Sequence, residues 1–136
     1  MDAKLKRQSD LQALLADMRP ELNAGEYVFT TTGHGSVPSD VRPVVSVAEE
    51  EGITLVLRKE EADRLGLSYD YVAGWITLRV HSPLHAVGLT AAVAAELAQA
   101  GLSCNVVAGF HHDHLFVPRD SASRAVALLN RMGVGP

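Results

Sequence analysis

Two hydrophobic periods alternate along this chain. Leu11, Leu14, Leu15 and Met18 recur at helical spacing. With Ser9 or Asp10 available as N-cap and Pro20 beyond the end, they predict a short amphipathic helix. From Gly25 the texture turns aromatic and β-branched in EYVFTTTG, which predicts a strand over about 26–32. The next ten residues, GHGSVPSDVR, are turn formers with no apolar period and read as a loop. PVVSVAEEEGITLVLR sets two β-rich runs around Glu50-Glu51-Gly52 and reads as a hairpin, and KEEADRLG after it reads as a short helix closed by Gly66.

The second half is more sharply patterned. GWITLRVH alternates Ile76, Leu78 and Val80 with Thr77, Arg79 and His81, the period of a strand with one face in a core. Ser82 then has the side-chain oxygen of an N-cap and Pro83 suits a first helical position. Leu89, Val93, Leu97 and Ala100 mark one helix face, and Gly101 stops it. On this reading Gly88 lies in mid-helix, where glycine costs up to about 1 kcal/mol against alanine, so a close approach by backbone or ligand is expected there. LSCNVVAGF and HLFVP predict two short strands, and DSASRAVALLNRMG a second helix with Ala125, Leu128, Leu129 and Met132 inward.

Strand, helix, strand, strand, helix is most of a ferredoxin-like βαββαβ unit. Its last strand is missing, since only Gly133 to Pro136 follow Met132. The first half is the obvious donor. A shift of 60 residues also lays ITLVLRKEEADRLG over DHLFVPRDSASRAV, with Leu55 on Leu115, Leu57 on Val117, Lys59 on Arg119, Ala62 on Ala122 and Arg64 on Arg124. The expected fold is therefore α+β: two ferredoxin-like halves, 1–70 and 71–136, the first lacking its long crossover helix.

Composition narrows the function classes. Of 136 residues 47% are hydrophobic and 21% charged, enough for a packed core. The formal net charge of −4 gives no electrostatic reason to bind nucleic acid. One cysteine, Cys104, permits no intrachain disulfide, and its apolar strand offers no cation to activate a thiolate. Asp10, Gln12 and Asp17 break the N-terminal leucines, so no signal peptide or membrane span is expected, and the expected location is the cytoplasm.

The densest polar cluster is His111-His112-Asp113-His114. A two-residue turn at His112-Asp113 would set His111 and His114 opposite each other. Two imidazoles are fewer ligands than a zinc site uses, and a carboxylate, His34 or His81 would have to join them. The first half carries Glu51-Gly52-Ile53-Thr54 at the matching positions, so the fold needs a turn there and not imidazole; no metal or cofactor is assigned. Glu49-Glu50-Glu51 reads as a solvated turn, Glu60-Glu61 as a helix start matched to its dipole, and Trp75 as a packing residue. Ser36 and Ser39 lack a nucleophile-elbow context, and GHG at 33–35 lacks the spacing of a phosphate loop.

ITLRVHSPLHAVGLTAAVAAELAQAGLSCNVVAGFHHDHLFVP resembles an ACT domain, most specifically in HSPLHAVGLTA and GLSCNVVAG. The whole chain resembles small stand-alone bacterial proteins built from two ACT-like halves. Similar domains occur in aspartate kinases and in the cytosolic arginine sensor of animal cells. The resemblance implies binding of a small molecule, commonly a free amino acid, at the interface between ACT units, and regulation of a partner protein without catalysis. A homodimer is expected. On the matching segments the ligand-binding candidates are Ser82, Leu84, Gly88, Leu89, Asn105 and Val106. A helix start after Ser82 would seat a carboxylate on unpaired amides, and Asn105 has donors and an acceptor for polar groups. The first half departs from the pattern in lacking its long helix. Two rivals stand beside this reading: an interaction module with an empty site, and a small metal-dependent enzyme using His111, His114 and a third ligand.

Overall fold

The computed structural model describes residues 3–33, 37–84 and 86–134, so the readings that rest on His34, Gly35 and Ser36 lie outside the described residues. The chain forms α1 (Ala3–Ala16), β1 (Pro20–Leu22), β2 (Tyr27–Thr32), β3 (Val45–Glu49), β4 (Gly52–Arg58), α2 (Lys59–Leu65), β5 (Val72–Leu78), α3 (Leu89–Gln99), β6 (Asn105–Ala108), β7 (Asp113–Pro118) and α4 (Ala122–Met132), the last entered through a 3-10 turn at Arg119–Ser121. All seven strands join one antiparallel sheet in the order β3-β4-β2-β5-β7-β6, with β1 also on β5.

β5 is the seam of that sheet. Val72 and Ala73 pair with Val28 and Tyr27 of β2, and Ile76, Thr77 and Leu78 pair with Leu22, Glu21 and Pro20 of β1. β1 and β2 thus run as one interrupted strand along the same side of β5. In the interruption Asn23 donates its backbone N–H to Trp75 O at 2.8 Å and its side-chain amide to Trp75 O and Thr77 Oγ1 at 3.1 and 2.9 Å. Tyr27 Oη donates to Ala24 O at 2.8 Å, which fixes the bulge from the other end. β1 therefore fills the missing strand position of the second half from within the chain, and β5 does the same for the first half. The two ferredoxin-like halves share one strand.

The period of two decides the faces. Even residues of β5 and odd residues of β7 point to the helices: Ile76, Leu78, Leu115 and Val117 pack with Val93 and Leu97 of α3, Ala125 and Leu129 of α4, and Leu15 and Met18 at the end of α1. Val28, Leu55 and Leu57 pack with Ala62 of α2 and with Val41. Val41 belongs to the β2–β3 connection, which among its described residues contains no helix. A single valine, 7% exposed, thus covers part of what the crossover helix covers in the second half. The opposite face carries Tyr27, Val56, Ala73 and Phe116, shielded by Phe29, Tyr71 and Trp75. Trp75 stands edge-on to Tyr27 with centroids 5.3 Å apart. Gly74 lies under the start of α4, where a Cβ would stand 2.7 Å from Ala122 Cβ.

Three expectations are corrected. α1 starts at Ala3 instead of after Ser9 or Asp10, because AKLKRQ consists of good helix formers and lets the helix extend backwards. α3 starts at Leu89, six residues past the expected Pro83; Ala86 N–H bonds Pro83 O in a turn, and Gly88 at φ 102° is the N-cap, so neither Ser82 caps α3 nor does Gly88 lie inside it. In the last hairpin Ala108 pairs with Asp113, and Gly109 N–H donates to His112 O at 2.9 Å. The chain therefore reverses at Phe110-His111 and not at His112-Asp113. That is where the 60-residue shift puts Glu50-Glu51, whose flanks Glu49 and Gly52 pair in the same way.

Candidate functional site

β5, β6 and β7 bring the connection after β5, the Phe110-His111 tip and the end of α1 to one end of the sheet, since Leu78 pairs with Asp113 and Val80 N–H bonds Met18 O at 3.2 Å. There α1 lies beside the 81–88 connection. Between them opens a cavity of about 500 Å³ lined by Leu11, Ala13, Leu14, Pro83, Ala86 and Val87, with Asp10 at its edge. Leu11 also covers Gly88: a Cβ there would meet Leu11 Cδ2 at 3.3 Å. Immediately beyond, α3 begins without a side-chain cap and without an acidic residue in its first turn. Ala92 N–H donates to Gly88 O at 2.9 Å, so the amides of Leu89, Thr90 and Ala91 precede the helix's own i to i−4 ladder and have no acceptor within α3 among the described residues. The volume lies within the range of ligand pockets.

The six predicted binding residues separate into two groups. Ser82, Leu84 and Gly88 lie on the connection, Ser82 half-buried and Leu84 65% exposed. Leu89 is 3% exposed and fills the core, which leaves its backbone for any ligand. Val106 pairs with Leu115 and packs against the same core. Asn105 is exposed and pairs with Phe116, so it points to the helix-free face of β6, a terminal strand of the sheet. Within one chain Asn105 is thus on a different face from the cavity. Asp10, Ala13 and the cavity-facing roles of Leu11 and Leu14 were missed. The signal was an apolar stripe wider than its buried part: Leu15 and Met18 are buried, whereas Leu11 and Leu14 are half-buried.

A second polar arrangement lies on the helix-free face. Trp75 Nε1–H donates to His114 Nδ1 at 3.1 Å, and Thr77 Oγ1 lies 3.5 Å from the same nitrogen. An indole N–H can only donate, so Nδ1 accepts and the ring proton sits on Nε2. Burial, reinforced by the charge of His112, holds the His114 pKa below its usual range. His114 therefore pairs across the sheet with Thr77 and Val107, and not with His111, whose ring instead meets Phe110 edge-on with centroids 5.1 Å apart. Among the described residues no three His, Cys, Asp or Glu side chains are grouped to hold a metal ion. Cys104 has its thiol pushed up to about 11 by burial, which keeps it protonated at neutral pH.

Comparison with known proteins fits this architecture. ACT-domain models match residues 8–74 and, separately, residues 71–131, and the overlap falls on β5. The chain is an ACT-domain protein. It is similar to a crystal structure of a protein of unknown function from Vibrio cholerae, described as a possible transport protein, with 44% identity over 93% of this chain and 98% of that one and a TM-score of 0.83. Two more distant structures are similar in fold. One is a protein from Agrobacterium tumefaciens, 18% identical over 84% and 87% of the two chains with a TM-score of 0.66. The other is the ligand-free regulatory subunit of aspartate kinase from Thermus thermophilus, 8% identical over 85% and 97% with a TM-score of 0.64. No curated protein matches the chain. Membership of the ACT family supports a regulatory, ligand-binding role. No helix among the described residues is long and apolar enough to cross a membrane.

Proposed function

We propose that this ACT-domain protein senses a free amino acid in the cytoplasm and regulates a partner protein without catalysing a reaction. The observation that carries the reading is the cavity where the 81–88 connection meets α1, directly before the uncapped start of α3. Free amides at a helix start carry partial positive charge and suit a carboxylate. Ser82, Leu84, Gly88 and the Leu89 amide would contact the ligand from one chain; they lie on or directly after the connection whose Pro83, Ala86 and Val87 line the cavity. Asn105 and Val106 would approach from a second copy in a homodimer, since β6 ends the sheet and has an outer edge with no partner strand among the described residues. Closure of the connection on the ligand would change the surface shown to a partner by no more than the ligand's differential affinity for the two arrangements.

The test is the thermal unfolding midpoint of the full chain against the common amino acids at millimolar concentration. A ligand at about 100 times its Kd adds about 2.7 kcal/mol, a shift of several degrees. One responder or a small chemically related set is expected, with the shift reduced in Ser82→Ala or Asn105→Ala. A flat panel would overturn amino-acid sensing.

A further inference from the structure

We infer that the α1 cavity is the side-chain pocket of this site and that it selects an aliphatic amino acid, with α1 as the wall that reads the side chain. The inference rests on the amino-acid reading above. Among the described residues, six of the seven that line it are Leu, Ala, Pro or Val, and the one charged group among them, Asp10, is exposed. A ligand carboxylate or ammonium pushed among Leu11, Leu14, Pro83 and Val87 would lose water without gaining a counter-charge or hydrogen-bond donor from these side chains. Methyl and methylene groups lose nothing comparable and gain about fourfold in affinity for each carbon buried. Asp10 has the sign that suits the common ammonium group, so it favours amino acids as a class without distinguishing among them. The same geometry links ligand to fold: Leu11 lines the cavity and also occupies the space beside Gly88 that a Cβ would enter, so filling the pocket bears on the docking of α1 against the start of α3.

Alanine and leucine share ammonium and carboxylate and differ by three carbons, so the test is calorimetric titration of the full chain with alanine, leucine, aspartate and lysine. Leucine is expected to bind roughly 50-fold tighter than alanine, and aspartate and lysine no tighter than alanine. Ala13→Phe fills the cavity from an exposed helix position, so folding is unaffected while leucine affinity falls at least tenfold. Ala95→Phe, at an exposed position on α3 away from the cavity, leaves affinity unchanged. Asp10→Asn lowers affinity for all four ligands alike. If leucine binds no tighter than alanine, if aspartate or lysine binds best, or if Ala13→Phe changes nothing, this inference is overturned and amino-acid sensing stands. If none of the four, nor any other amino acid, binds, the underlying reading fails and this one with it.

Discussion

Truncating Met18 to alanine tests whether the N-terminal segment completes the sheet of the C-terminal half. Met18 is 1% exposed although it lies just outside α1, and it reaches the same core as Ile76, Leu97 and Leu129. Its carbonyl accepts from Val80 N–H, a bond the substitution leaves in place, so only side-chain packing is removed. Buried methionine-to-alanine changes cost about 2–5 kcal/mol. A shallow cavity opens beside Leu15, Met18 and Leu129, which allows some collapse and points to the middle of that range, about 3 kcal/mol. For 136 residues the unfolding entropy is about 0.3 kcal/mol/K, so the midpoint should fall by roughly 10 °C. Calorimetry measures the shift, and urea titration should show an unchanged m-value. Leu84→Ala and Phe110→Ala, at side chains 65% and 78% exposed, serve as controls and should cost less than about 0.5 kcal/mol. A Met18→Ala shift as small as the controls would refute the docking of the N-terminal segment on β5.

Gly74→Ala should cost about 1–3 kcal/mol by forcing α4 away from β5, and Ala122→Gly in the same chain should restore most of it, a coupling that chemical denaturation of the double-mutant cycle reads directly. Ser82→Ala should change apo stability by less than about 0.5 kcal/mol, whereas Gly88→Ala, placed at φ 102° against Leu11, should cost about 1–2 kcal/mol; equal effects in thermal melts would restore Ser82 as the cap. His114 makes stability depend on pH. Its folded pKa lies below the unfolded value near 6.5, so the unfolded chain takes up the proton first. The contribution is complete above about pH 6.5 and is lost as pH falls from there through the lower folded pKa. Protonation also turns Nδ1 into a donor facing Trp75 Nε1–H, so emission from the single tryptophan should follow the same titration and lose it in His114→Gln. His112, Asp113 and Arg79 supply the surrounding charges; the Asp113 carboxyl, raised by burial, acts in the opposite sense.

Local pattern determined a large part of this protein. The alternation in GWITLRVH, the apolar face from Leu89 to Leu97 and the Gly66 and Gly101 stops are properties of neighbouring residues, and β5, α2 and α3 carry them. The 60-residue repeat also held the correct hairpin turn, since it placed Glu50-Glu51 over Phe110-His111. Tertiary structure decided what depends on residues far apart in sequence. Nothing within Pro20-Glu21-Leu22 says that it pairs with Ile76 to Leu78, because three residues do not define a register; the buried neighbours Met18 and Leu15 do. The start of α3 was misplaced because Ser82 and Pro83 have the chemistry of a helix start, while the turn at Pro83–Ala86 and the positive φ of Gly88 overrule them. The cavity escaped sequence reading for the same reason. A leucine stripe on α1 looks identical whether it closes a core or borders an opening, and only the packing of α1 beside Pro83 and Val87 separates the two.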